Sequence, residues 1–181
     1  MAFKRACRAG EMISIPALSD DTFETAAHGL MVREAEGLPP EDVPAFMTRR
    51  AGELRAQVSL FAEMFDESVI QVPLDGVARV MIQGLSGAQF ADAESAGYAA
   101  AVRANVKAEH VQAYLELEIL RRGLVSVEGF DAAPAGCLYP VDVLMGPNGI
   151  GLAWARFRVE MAARITAWSH LGKPESSSSA P

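Results

Sequence analysis

The sequence predicts a mostly helical α+β fold, about five helices around a small antiparallel sheet. Three observations support this. Apolar residues recur at spacings of three and four in several stretches, the pattern of amphipathic helices. Two short stretches place β-branched residues at alternate positions, as strands do. The chain has 181 residues, 50% of them hydrophobic, enough for one core. One domain over residues 1–172 and a disordered serine-rich tail over 173–181 are expected.

Met12, Ile13 and Ile15, between Gly10 and Pro16, predict a first strand. Ser19, Asp20 and Asp21 then offer side-chain oxygens to the free amides of a helix start. That helix runs from about Asp20 to Glu36, with Phe23, Ala26, Ala27, Leu30 and Met31 on one face. Gly37-Leu38-Pro39-Pro40 ends it. The clearest helix spans Glu41 to Asp66, where Val43, Phe46, Met47, Leu54, Val58 and Phe61 recur at helical spacing. Its early Pro44 is tolerated because first-turn amides have no intrahelical partner.

Val69, Ile70 and Val72, then Asp75-Gly76, then Val77, Val80 and Ile82 predict a hairpin over 69–82. Ser86 and Gln89 form a capping box that opens a helix reaching about Val102, weakened by Gly97. Asn105 is expected to cap the next helix, which carries Val111, Tyr114, Leu115, Leu117, Ile119 and Leu120. Arg121, Arg122 and a left-handed Gly123 would close it. From Leu124 to Pro140 a short apolar piece and a loop are expected, with no long element. Pro140 can open a single turn before Gly146-Pro147-Asn148-Gly149. Ile150, Trp154, Phe157, Met161, Ile165 and Trp168 then define a final amphipathic helix.

A formal charge of −7 and a pI near 5.0 oppose general attraction to phosphate backbones, so nucleic acid is not an expected partner. Cys7 and Cys137 form no C-x-x-C pair, and they read as reduced thiols. The N-terminus lacks the continuous apolar stretch of a signal peptide, and no run suits a membrane span. A cytoplasmic location is the expectation.

His28, His110 and His170 fall on separate predicted helices without a second ligand one turn away, so no metal site is expected. Glu109, Glu116 and Glu118 read as the solvated face of their helix. Gly146 to Gly151 lacks the Lys-Ser/Thr of a phosphate loop. Gly84-Leu85-Ser86-Gly87 misses the spacing of a nucleophile elbow. No catalytic residue and no cofactor are therefore assigned. The chain's eight methionines and the aromatic stripe of the last helix read as core, or as an adaptable groove for a protein partner.

Arg79-Val-Met-Ile-Gln-Gly-Leu-Ser-Gly-Ala-Gln-Phe90 resembles the V-x-V-R-G-L-T-x-x-E-F strand-to-helix passage of tail assembly chaperones from long-tailed bacteriophages. Val111 through Gly129 is similar to the family's following V-x-x-x-L-V-x-x-G-L-V-D-x-x-G stretch. Arg164-Ile-Thr-Ala-Trp-Ser-His-Leu171 is similar to its closing I-x-x-L-S-x-L. The resemblance covers about the second half of the chain. The usual closing K-N is absent, and the helix from Glu41 to Asp66 has no family counterpart.

The resemblance implies a non-enzymatic protein that holds the tape-measure protein soluble in the host cytoplasm and brings tail-tube subunits to it. It also implies a programmed frameshift near the C-terminus, for which the codons of Leu171-Gly172-Lys173 are the candidate. A virion part, such as a head-to-tail connector or tail-completion protein, is the first alternative reading. A helical enzyme or cofactor carrier is the second.

Overall fold

The computed structural model describes residues 9–129 and 152–170, the side chains of the second stretch from 155 onward. Its strands are β1 (Met12–Pro16), β2 (Arg79–Gln83) and β3 (Leu124–Glu128). The helices are α1 (Asp21–Glu34), α2 (Val43–Met64), α3 (Gly87–Arg103), α4 (Val111–Gly123) and α5 (Leu152–His170). Among the described residues this is the expected α+β arrangement of five helices and a small antiparallel sheet.

Each helix start has a local cause. The Asp20 carboxylate caps α1 by accepting the Thr22 N–H at 2.6 Å, and its other oxygen accepts the Ala78 N–H at 3.1 Å. One side chain thus starts a helix and ties it to the approach to β2. Ser86 and Gln89 make the full capping box of α3. α2 ends where Phe65 takes a left-handed φ of 51° and donates to the Phe61 carbonyl. A side chain in that region is strained. The Phe65 ring is held against Trp168, edge to face with centroids 5.1 Å apart.

The sheet order is β1-β2-β3, both pairs antiparallel, with Ile15 opposite Val80 and Val80 opposite Val127. Ile15, Val80 and Ile82 join the core together with Met161 and Ile165 of α5. The other sheet face carries Ser14, Met81 and Ser126 in one cross-strand row, none of them buried. Alternation along the strands separates the two faces.

The hairpin expected over 69–82 is not present. Its first arm is a 3-10 turn, Glu67–Val69, followed by a stretch without strand pairing, and Val72 there is buried at 3% exposure. The burial of Val72 and the missing N–H of Pro73 favour anchoring over laddering. The partner of β2 on that side is β3, from the region where no long element was expected. A bulge between Met81 and Ile82 adjusts the register.

Asn105 does not cap α4. It sits past the end of α3 at φ 49°, and α4 starts at Val111 after the 3-10 turn Ala108–His110. Gly123 is not a left-handed cap either. It is the last residue of α4, and Leu124 continues directly into β3. Its role is close approach: a Cβ there would lie 2.5 Å from Ile165 Cγ2. Gly97 serves α3 in the same way, since a Cβ would come within 2.9 Å of Leu115 Cα on α4.

α5 presents Phe157, Met161, Ile165 and Trp168 to the core, exposed by 4, 0, 0 and 7%. Full burial of such side chains stabilises by roughly 1.5–3 kcal/mol each. Two polar contacts fix the end of the helix: Trp168 Nε1 donates to the Glu11 carbonyl and Ser169 Oγ accepts from the Leu85 N–H. Trp154, expected on the same stripe, lies outside the described side chains. So do Cys7, Cys137, Pro140, the 146–151 glycine stretch, Leu171-Gly172-Lys173 and the 173–181 tail.

Candidate functional site

An open groove of about 490 Å³ lies where the β1–α1 connection, α2 and α5 meet. Leu18, Val58, Ala155 and Val159 supply its apolar walls, and Ser19, Arg156 and Glu160 its polar groups. Val159 is 51% exposed. Arg156 is ion-paired with Glu24 of α1 at the rim.

Glu160 forms the floor. Its Oε1 accepts the Leu18 N–H at 2.9 Å, and its Oε2 accepts the Ser19 N–H at 3.0 Å and the Ser19 hydroxyl at 2.6 Å. Burial pushes its carboxyl above the usual range, against the opposing pull of the Ser19 hydroxyl, the Arg164 charge and the two amides. One helical turn on, Arg164 is 4% exposed, with Nη2 3.8 Å from Glu160 Oε1. Burial pushes the guanidinium down and the Glu160 charge raises it. The guanidinium donates two long bonds to the Val58 carbonyl and stacks 4.9 Å from the Phe61 ring centroid, while Nε has no acceptor among the described residues. A buried pair so incompletely bonded is costly to break and contributes little net stability. Its function here is to lock α5 against α2 and the β1–α1 connection.

The expectation that Glu109, Glu116 and Glu118 form a solvated face is overturned for two of them. Glu116 and Glu118 are 9% and 8% exposed. Glu116 accepts Arg158 Nε of α5 at 2.8 Å, so it fastens α4 to α5. Glu118 accepts Arg121 and Arg122 at 2.6 Å each. Burial works against charge at Glu118, but the Arg122 and Arg121 bonds prevail and hold its carboxyl below the usual range. Buried carboxylates on α4 are paired with arginines, Arg158 of α5 for Glu116 and the neighbouring Arg121 and Arg122 for Glu118, which apolar spacing does not register. Glu109 lies in the 3-10 turn, exposed beside His110 and Lys107.

The structure does not bring the histidines together. His28 is exposed on α1, His110 precedes α4, and His170 ends α5 with its ring edge-on to Phe90. Among the described residues no group of three His, Cys, Asp or Glu side chains is placed to hold a metal. No helix among them is long and apolar enough to cross a membrane. Ser86 is held in its capping box.

Sequence reasoning missed Glu160 and Arg164, although one signal was present. Arg164 lies seven residues after Phe157 and three after Met161, so a charge occupies the core stripe of α5. A charged residue on such a stripe implies a buried counter-charge, and Glu160 is one turn away.

No family model matches the chain, and no curated protein or solved structure shows significant similarity to it.

Proposed function

We propose that this chain is a non-enzymatic tail assembly chaperone of a long-tailed bacteriophage or prophage. It would hold the tape-measure protein in the host cytoplasm and present it to tail-tube subunits. The observation that carries the reading is the open, largely apolar groove at the meeting of the β1–α1 connection, α2 and α5, with Val159 and Ala155 available to a partner. An open groove with a largely apolar lining beside a locked charge pair suits capture of a helix better than chemistry on a small molecule. The strand-to-helix passage and the helix that follows it in the resemblance are compatible with the local structure here. Arg79–Gln83 is a strand leading through a capping box into α3, and α4 passes through Gly123 into the Leu124–Glu128 strand.

Co-expression tests this. Tape-measure protein from the same gene cluster should be insoluble alone and soluble with the chain. Purified particles should lack the chain by mass spectrometry. Its presence in finished particles would favour a connector or tail-completion part instead.

A further inference from the structure

We propose that α3 is the interface of a homodimer, in which the exposed faces of two α3 helices pack antiparallel across a two-fold axis beside Tyr98. The inference goes beyond the chaperone reading and does not depend on it.

α3 buries Ala93, Gly97 and Ala101. Gly97 meets Leu115, so this side faces α4, and Phe90 on the same side lies edge-on to His170 of α5. A helix that covers a core on one side normally carries charge on the other. On α3 the far side instead holds Ala88, Ala91, Ser95, Tyr98, Ala99 and Val102, every one of them exposed. Tyr98 is 56% and Val102 76% exposed. Charge is confined to the flanks of this stripe, with Glu94 on one and Asp92 and Arg103 on the other.

The charges make the face complementary to itself. Asp92 and Arg103 are eleven residues apart, about three turns, so they share one flank at opposite ends of the stripe. Neither side chain has an ion-pair partner among the described residues. A two-fold axis perpendicular to the helices keeps each flank on its own side and reverses its direction, so Asp92 of each copy stands opposite Arg103 of the other. Parallel packing would bring Asp92 to the flank of Glu94, acid against acid.

The surrounding charges preserve this pairing. Arg122 reaches the Asp92 carbonyl at 3.5 Å, but its Nη1 is bonded to Glu118, which also holds Arg121. Beyond the other end of α3, Glu109 lies between Lys107 and His110. The first end therefore sets Asp92, Glu94 and Glu118 against two arginines, and the second sets Arg103 and Lys107 against Glu109. The two ends differ in sign, which draws an antiparallel copy into register.

The shape of the face agrees. Ala91, Ser95 and Ala99 recur at every fourth residue, and side chains this small let two helices approach to roughly 8 Å. In the antiparallel register Val102 comes level with the gap between Ala91 and Ser95 of the other copy. Tyr98, next to the axis, meets its own counterpart. One helix pair buries less than the roughly 1,200–2,000 Å² of a standard interface, so the dimer is concentration-dependent.

Sedimentation velocity of the full chain from roughly 1 μM to 1 mM tests this. Wild type should pass from monomer to dimer. Val102→Asp should weaken association by about tenfold or more, and Asp92→Arg or Arg103→Asp alone should do the same by setting like charges opposite each other. Asp92→Arg combined with Arg103→Asp should restore it, a rescue that a merely weakened helix would not give. Val32→Glu, at a site 46% exposed on α1, should leave association unchanged. Circular dichroism melts of each variant at the lowest concentration should match wild type. A chain that stays monomeric throughout, a dimer that survives Val102→Asp, or a double variant that is not rescued overturns the proposal. So does a monomer whose melting temperature falls on Val102→Asp, because another segment of the same chain would then cover the face.

Discussion

Ser19 and Glu160 meet across 141 positions of sequence: Glu160 Oε2 accepts both the Ser19 N–H at 3.0 Å and the Ser19 hydroxyl at 2.6 Å. With the Leu18 N–H on Oε1, three donors from the β1–α1 connection converge on one carboxylate of α5. These amides precede α1, whose own cap is Asp20, so no helix ladder satisfies them. The contact therefore places the start of α1 relative to α5, and with it the walls of the groove.

Glu160→Ala should lower stability by about 3–5 kcal/mol, because it leaves the buried Arg164 without a counter-charge and strands the Leu18 and Ser19 donors. Arg164→Met should cost distinctly less. Among the described residues Arg164 makes only long bonds, 3.3 and 3.4 Å to the Val58 carbonyl, and a methionine fills its place against Phe61. Urea unfolding midpoints give the ranking. Equal losses would mean that attraction between the two charges, not the amide cradle, holds the connection.

Met161 has 0% exposure at the centre of the core. Met161→Asp should unfold or aggregate the chain, since an unpaired buried carboxylate costs several kcal/mol against a total stability of roughly 5–15 kcal/mol. A folded, soluble Met161→Asp protein, judged by circular dichroism and gel filtration, would remove this face of α5 from the core.

What could be read from the sequence was local. Ser86 with Gln89, Asp20 ahead of Phe23, and the Phe157-Met161-Ile165-Trp168 stripe each encode their structure within a few residues, and each appears as expected. β3 was not legible, because Leu124–Glu128 is a strand only by pairing with β2, some 45 residues away in register partners such as Val80 and Val127. The same limit hid the site. Neither Leu18 nor Ser19 signals that its amide will meet a carboxylate on α5, and Gly123 looks like a cap until Ile165 is seen beside it.

Gly123→Ala should destabilise by about 1–3 kcal/mol, since the new methyl would meet Ile165 side-chain atoms at 2.5, 2.8 and 3.0 Å. Adding Ile165→Val should recover part of the loss by removing one of them. Gly52→Ala on α2, where nothing lies within 4 Å, should instead stabilise by up to about 1 kcal/mol through helix propensity. Thermal melts of the three variants test this. A neutral Gly123→Ala would show that α4 and α5 can separate at that point without penalty.

Protein prepared without added metal should contain no stoichiometric iron, zinc or manganese by elemental analysis. His28, His110 and His170 sit on separate elements, and a single metal equivalent would require a ligand set that these positions do not form.

Two buried carboxylates should give stability opposite responses to pH. Burial raises the folded-state value of Glu160 above its ordinary 4.5, so its ionisation is harder in the folded chain than in the unfolded one. Its contribution is fully present below 4.5 and is lost as pH rises through the folded value. Burial also opposes charge at Glu118, but Arg122 and Arg121 outweigh it and bring the folded value below 4.5. That contribution is present above 4.5 and is lost as pH falls through the folded value. Melts of wild type, Glu160→Gln and Glu118→Gln between roughly pH 3 and 8 separate the two. The wild-type advantage over Glu160→Gln should shrink or reverse as pH rises above 4.5. The advantage over Glu118→Gln should shrink as pH falls below it. An advantage over Glu160→Gln that grows with rising pH would mean that the Leu18 and Ser19 amides, together with Arg164, overcome burial and keep the Glu160 carboxyl below its ordinary value.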